Sequence, residues 1–402
     1  MIKVKKINSC RICKSHDLEK IILLPKMPFT DEFVKHENLG NEFLSDIEIG
    51  VCKSCGSSQN LNDTDMDDYY QDYTYTVQSS KFAMDFMSIL SQKVKQLFFK
   101  DINQPKILEI GSGSGEQLEE FKKQGFNVVG VEPSEKLSNY ANKNGIKTLT
   151  TFFDENSKEK LKNDLGLMDS VVTSYTFDHI PKINDVLDNI NFIMKEGGIL
   201  IIEVHDLDLI IERNEYCLFE HEHYTYLDKD TMKQFLSRHG FELLTYELLN
   251  ENEKRANSLL TVAKKNDNVK KYEVNVENQL NKISNLKSNI DESIIRIENF
   301  LERNKNKKIV AYGAGGRGIM TLSAIKNSNL ISFIVDKNPK DDNIYAPKTN
   351  LAVFHIDKLS DFKADIIIVF SFGYYNEIVE ELTKKMGYKE NDFVSILNLI
   401  KK

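Results

Sequence analysis

No uninterrupted run of about 18 apolar residues occurs in the 402-residue chain, which excludes a membrane-spanning helix at the level of sequence. The first residues, MIKVKKINSC, carry lysines but no apolar stretch behind them, so no secretory signal is legible and a cytoplasmic location is expected. Excess positive charge is also missing. The formal net charge is −8, whereas a polyanion-binding surface needs a cationic face, so nucleic acid is not an expected partner. Fixed-period repeats and low-complexity tracts are absent. Cysteine is scarce, with five residues, yet four of them fall in two C-x-x-C pairs, a spacing that favours metal over disulfides in a chain without a secretion signal.

What remains is ordinary for a globular protein. Hydrophobic residues make up 41% and charged residues 28%, and the length allows two or three domains. Cys10-x-x-Cys13 and Cys52-x-x-Cys55 place four thiols in two tight turns, which predicts one tetrahedral four-cysteine zinc site. With no ligand position open, such a site is structural. Lone Cys217 reads as a small buried hydrophobe.

Ser80 to Phe99 reads as an amphipathic helix through Phe82, Phe86, Ile89, Leu90 and Val94. From Pro105 the pattern alternates. KILEIG, NVVGVEP, SVVTSY and GILIIEV read as strands with helices between them, predicting an α/β fold with a parallel sheet covered on both faces. Apolar residues from Val274 to Ile297 predict a long helix or helical hairpin as a connector. A second βαβ-like pattern follows, with KKIVAYGAGG, ISFIVD and DIIIVFSF. The expected organisation is a zinc-binding domain over residues 1–65 and a Rossmann-type domain over 66–265. A helical connector over 266–306 then leads to a second Rossmann-like domain over 307–402.

Both glycine-rich turns follow a strand and open a helix, but their charges differ. Gly111, Gly113 and Gly115 are flanked by Glu109 and Glu116, which oppose a pyrophosphate at that helix start. A cationic ligand without phosphate fits better, and S-adenosylmethionine is such a ligand. Glu132, at the end of the next strand, is placed to accept hydrogen bonds from a ribose diol. The second turn matches G-x-G-x-x-G at Gly313, Gly315 and Gly318, with Asp336 ending the next strand and Arg317 supplying positive charge. Phosphate fits here. On motif alone, a nicotinamide dinucleotide and a purely structural turn stand level.

Beyond the strand ending EVHD lies Glu220-His221-Glu222-His223-Tyr224-Thr225-Tyr226. His205, His221 and His223 gather near this point, and histidine beside carboxylate suits proton transfer near neutral pH. A metal site is weaker, because His-x-His lacks an identifiable third ligand.

CRIC, CKSCGSSQ, ILEIGSGSG, GVEPSE, TFDHIP, HEHYTY, KIVAYGAGGRG and SFGYYNEI, in that order, resemble the sugar C-methyltransferases that act on nucleotide-activated 4-keto deoxysugars. The resemblance covers almost the whole chain. It implies a zinc domain, a central S-adenosylmethionine-binding methyltransferase domain, and a C-terminal Rossmann-like domain that helps hold the sugar nucleotide. It implies His223 as the base that generates an enolate, with Glu222 and His221 orienting it or stabilising the enolate, and Tyr75 near cofactor and substrate. It also implies that Tyr73, Pro133 and Asp178 join Glu109 and Glu132 around the cofactor, and that Gly313, Gly315, Arg317, Gly318 and Tyr226 face the substrate. The chain departs from the family twice: Glu220 stands where a tyrosine is common before His-Glu-His, and the serine-rich element after the tyrosines reads TVQSS. Methylation of a sugar oxygen or nitrogen, a nicotinamide-dependent oxidoreductase and a non-catalytic zinc scaffold are the rival readings. Oligomeric state is not legible.

Overall fold

The computed structural model describes residues 2–401 except Asp31, Tyr75, Val77, Ser79 and Lys340, so the expected role of Tyr75 lies outside the described residues. The molecule is α/β and is organised around two seven-stranded sheets and one four-stranded sheet. Among the described residues, no helix is long and apolar enough to cross a membrane.

The central sheet runs, edge to edge, Phe241–Thr245, Ser258–Lys265, Met194–His205, Met168–Ser174, Lys106–Ile110, Asn127–Glu132 and Thr148–Thr150. Ser258–Lys265 is antiparallel to both neighbours, and the other pairings are parallel. The parallel strands are buried on both faces, which is why they read as continuous apolar runs. The order reverses beside Lys106–Ile110, where the next chain segment crosses to Asn127–Glu132 on one side and the later strands return on the other. A crevice opens at the carboxyl ends there, and the first glycine turn lies in it. The helix Lys81–Phe98 covers this sheet, capped by Ser80, whose hydroxyl accepts from the Ala83 amide at 3.3 Å. Its buried face is Ala83, Phe86, Met87, Leu90 and Val94. Phe82, read as part of that face, is instead 46% exposed at the crevice rim.

The second seven-stranded sheet runs Phe393–Ser395, Ile366–Val369, Ile309–Tyr312, Ile331–Asp336, Ala352–His355, Ile344–Tyr345 and Val34–Lys35. Its last strand comes from the N-terminal segment, with Lys35 opposite Ile344. The four-stranded sheet makes the reverse exchange. Leu18–Met27, Ser45–Cys52 and Ser58–Asn60 are joined by Thr225–Tyr226 from the central part of the chain.

The connector is one helix, Val276–Arg303, rather than a hairpin. Ile283, Leu286 and Ile290 pack against Ile22, Leu24, Ile47 and Ile49 of the four-stranded sheet. Ile297 and Leu301 pack into the core of the C-terminal sheet. One apolar stripe thus serves two cores. At its first turns, Gln279 and Lys282 reach Asp228 at 2.8 and 2.7 Å, and Asp228 also caps the helix Lys229–Arg238.

Candidate functional site

The two cysteine knuckles close on each other. Sγ of Cys10 lies 3.7 Å from that of Cys55, and Sγ of Cys13 lies 3.5 Å from that of Cys52. All four sulfurs fall within 4.8 Å of one another. A tetrahedral zinc–thiolate site with bonds of about 2.3 Å has sulfur–sulfur edges of about 3.8 Å, so the cluster fits the ion. Burial pushes the Cys13 thiol up to about 11, and a bound cation is what would keep such a group deprotonated.

A cleft of about 1560 Å³ runs from the first glycine turn to the start of the helix Gly316–Ala324, more room than one small ligand fills. At one end are Glu109, Gly111, Gly113, Glu116, Glu132 and Pro133. Gly115 starts the following helix in the left-handed region, at φ +92°, and stays outside the lining. Glu132 accepts the Gly113 amide at 2.9 Å and the Ser134 amide at 2.8 Å, which locks the turn against the strand end. Ser134 in turn donates to the Tyr73 carbonyl at 2.7 Å, bringing Tyr73 to the rim. Glu109 is buried, and one of its oxygens has no hydrogen-bond partner. Burial and the nearby Glu116 carboxylate hold its pKa well above the ordinary range, against the pull of Arg255. A cationic ligand beside it would favour its charged form.

Arg255, not anticipated from the sequence, sits across this end. It pairs bidentately with fully buried Glu203 and lies over the Phe86 and Tyr175 rings at 4.5 and 4.8 Å.

The middle of the cleft holds three histidines. The ring of His223 lies 4.7 Å from that of His179 and 4.8 Å from that of His205. Nδ1 of His223 donates to the Leu218 carbonyl at 2.8 Å, leaving Nε2 as the basic nitrogen. Burial works against charge on His223, but Glu220, Asp178 and Glu222 outweigh it and raise its pKa. His205 is pushed down to about 4 by burial, although Asp178 Oδ2 lies 3.2 Å from its Nδ1. His179 was missed in the sequence. It follows Asp178 directly in TFDHIP, an acid–histidine pair at a strand end, and its Nδ1 meets the Tyr70 hydroxyl at 2.9 Å.

Other expected residues are placed differently. Asp178 is buried beneath the histidines and does not line the cleft. His221 is turned away: its Nε2 bonds the Met27 carbonyl at 2.9 Å, and its ring packs edge-on to Phe29 and Phe43. Tyr226 is buried behind His223, in the strand paired with Ser58. Glu222 lines the cleft, and so does Glu220, whose Oε2 lies 3.9 Å from His223 Nε2.

At the far end, Gly316 and Arg317 close the cleft, and a second cavity of about 1090 Å³ continues past Gly315, Asp336 and Asn338. Thr30, Tyr73, Glu222 and Gly316 are among the residues that line both cavities. Asp336 repeats the arrangement of Glu132, accepting the Ala314 amide at 2.8 Å and the Asn338 amide at 2.9 Å. Gly313 and Gly318 shape this turn from within: a Cβ on Gly318 would run into the Gly313 carbonyl.

Comparison with known proteins gives three family matches in chain order. Residues 10–70 match a "zinc binding domain" model, 84–246 a "Methyltransferase domain", and 239–397 a "C-methyltransferase C-terminal domain". The C-methyltransferase NovU of Streptomyces niveus is 25% identical over 243 residues, 60% of this chain and 57% of that protein. A ubiquinone biosynthesis O-methyltransferase of Rickettsia typhi is 30% identical over 115 residues, 28% of this chain and 45% of that protein. The matched stretch is therefore under two thirds of either relative. Among solved structures, the plantazolicin methyltransferase BpumL in complex with SAH aligns at a TM-score of 0.38 and 18% identity, over 47% of this chain and 86% of that one.

Proposed function

We propose that the chain, which matches a zinc-binding, a methyltransferase and a C-methyltransferase C-terminal domain in turn, is a C-methyltransferase that methylates a carbon of a nucleotide-linked 4-keto deoxysugar. The observation that carries this reading is the state of His223. Its Nδ1 proton is committed to the Leu218 carbonyl, so the neutral ring offers a lone pair on Nε2 inside the cleft. A carbon beside a ketone needs such a base within reach of its proton to become a nucleophile.

The enzyme depends on S-adenosylmethionine, which supplies an electrophilic methyl group on a sulfonium. Glu132 and the Gly111–Gly113 turn would hold its nucleoside end, and Glu109 would face its cationic portion. His223 takes the proton from the sugar carbon, with Glu222 close by to stabilise the imidazolium. His221 takes no part in this scheme. Arg317 and the helix start at Gly316 lie where a pyrophosphate would find both positive charge and free amides. The cavity beyond them leaves space for the nucleoside.

The test is a panel of dTDP-, CDP- and GDP-linked 4-keto deoxysugars with S-adenosylmethionine, scored by mass and by deuterium wash-in at the carbon beside the ketone. Methylated carbon and wash-in are expected for at least one sugar. A methylated product that carries the group on oxygen or nitrogen and retains its original α-hydrogen would refute carbon transfer. His223→Ala should lower turnover by about 10²–10⁴-fold while leaving cofactor affinity nearly unchanged, and wild-type turnover in it would overturn the base assignment.

A further inference from the structure

Glu220 is a buried carboxyl group that this scheme leaves unused. Its side chain is 12% exposed, and it lines the cleft beside the base, with Oε2 3.9 Å from His223 Nε2. Acceptor atoms of Glu220, Glu222 and His223 all lie within 4.8 Å of one another. The Glu222 carboxyl lies close enough to Glu220 to disfavour a second negative charge there. On the other side, Oε1 faces the start of the Gly316–Ala324 helix, 3.2 Å from where a Cβ on Gly316 would stand.

We propose that Glu220, as a neutral carboxylic acid, donates a hydrogen bond to the substrate's ketone oxygen while His223 removes the proton from the adjacent carbon. The inference rests on the keto-sugar reading above. The α-proton and the carbonyl oxygen of one ketone are close neighbours, so the base and acid that bracket them must also be neighbours. The 3.9 Å separation satisfies this. In the first step the C–H electron pair becomes the enolate double bond, the proton goes to His223 Nε2, and the carbonyl π pair moves to the oxygen held by Glu220. In the second step the double-bond pair forms the bond to the methyl carbon, the carbon–sulfur pair leaves on sulfur, and the ketone re-forms. Glu220 keeps its proton throughout.

The surroundings hold the acid in the required form. Burial pushes Glu220 up to about 8, Glu222 adds to that, and His223 and Arg317 oppose it. Tyr226 and Cys217 also face it, and both are themselves raised by burial. A carboxylic acid kept neutral in this way stabilises an oxyanion without a charge to desolvate.

The experiment measures wash-in of solvent deuterium at the α-carbon of the same sugar panel, with S-adenosylhomocysteine in place of the methyl donor. It compares wild type, Glu220→Gln and Glu220→Leu, with S-adenosylhomocysteine affinity as the folding control. Wild-type exchange should rise as His223 deprotonates and fall as pH passes about 8. Glu220→Gln, which keeps a donor but cannot ionise, should stay within about tenfold and lose the alkaline fall. Glu220→Leu should lose about 10²–10³-fold. Undiminished exchange in Glu220→Leu overturns the proposal alone, and so does a glutamine variant that binds S-adenosylhomocysteine yet exchanges no faster than the leucine variant. Absence of exchange in wild type on every sugar overturns the keto-sugar reading and this proposal together.

Discussion

Gly111→Ala tests whether the first glycine turn is the cofactor seat, and its effect can be worked from the geometry. Gly111 has φ +71°, a conformation that costs an L-residue about 1–2 kcal/mol. A Cβ added there would stand 2.6 Å from Thr176 Cγ2 and 2.9 Å from Thr176 Cβ, with Oγ1 closer still. Overpacking of that kind costs about 1–3 kcal/mol. The total is about 2–5 kcal/mol. The backbone on one side is tethered, since the Gly111 amide donates to the Val131 carbonyl at 2.9 Å, so the turn itself must move. Part of the cost should therefore appear as weaker binding of S-adenosylhomocysteine, by about 10–100-fold, and part as a lower urea midpoint. Isothermal titration and urea unfolding read the two shares. Gly111→Ala/Thr176→Gly removes the obstacle but not the strained φ, and should recover about half of the combined loss. An alanine variant that binds and unfolds like wild type would refute the reasoning, and so would a double variant with no recovery.

Chelation of the zinc should lower the rate of methyl transfer by about 100-fold while changing S-adenosylhomocysteine affinity much less, because the Cys10 knuckle is tied through Gln59 and Asn60 to the loop that carries His223. Equal loss of both would refute that route. Asp228→Asn should destabilise the chain by about 1–2 kcal/mol at neutral pH, a modest figure because Lys282 is one-third exposed and keeps Asp208 as a partner. Burial pushes the Asp228 carboxyl up, but Lys282 and Thr231 outweigh it and hold its pKa below the ordinary value. Its contribution is then complete above about pH 4 and lost as pH falls through the folded-state pKa, so the wild-type and variant urea midpoints should converge in acid. A difference that persists at the lowest pH would count against this.

Much of the fold was legible because the parallel strands are apolar on both faces and the glycine turns carry their charges beside them in sequence. Ser58–Asn60 was not. Its three residues are polar yet fully buried, and hydropathy cannot register a strand stabilised by side-chain hydrogen bonds: the Gln59 side chain accepts the Arg11 backbone amide, and the Asn60 side-chain amide donates to the Glu220 carbonyl. Val34–Lys35 is two residues long and has no periodicity to read. In the site, the run Glu220 to Tyr226 marked a chemically rich loop, but not which histidine turns inward. That is decided by carbonyls at Met27 and Leu218, one of them about 190 residues away. Arg255 carried no local signal, since it lies in a loop and its partner Glu203 is 52 residues away on the strand Met194–His205.

The pairing of Lys35 with Ile344 also has a consequence for how the chain is made. About 310 residues must be synthesised between the two partners, which at about 5–20 residues per second takes about 15–60 s. During that interval the cysteine knuckles can already close while the Val34–Lys35 edge is still waiting. Closing that sheet edge therefore brings a late part of the chain back to an early one, well after the knuckles can have formed.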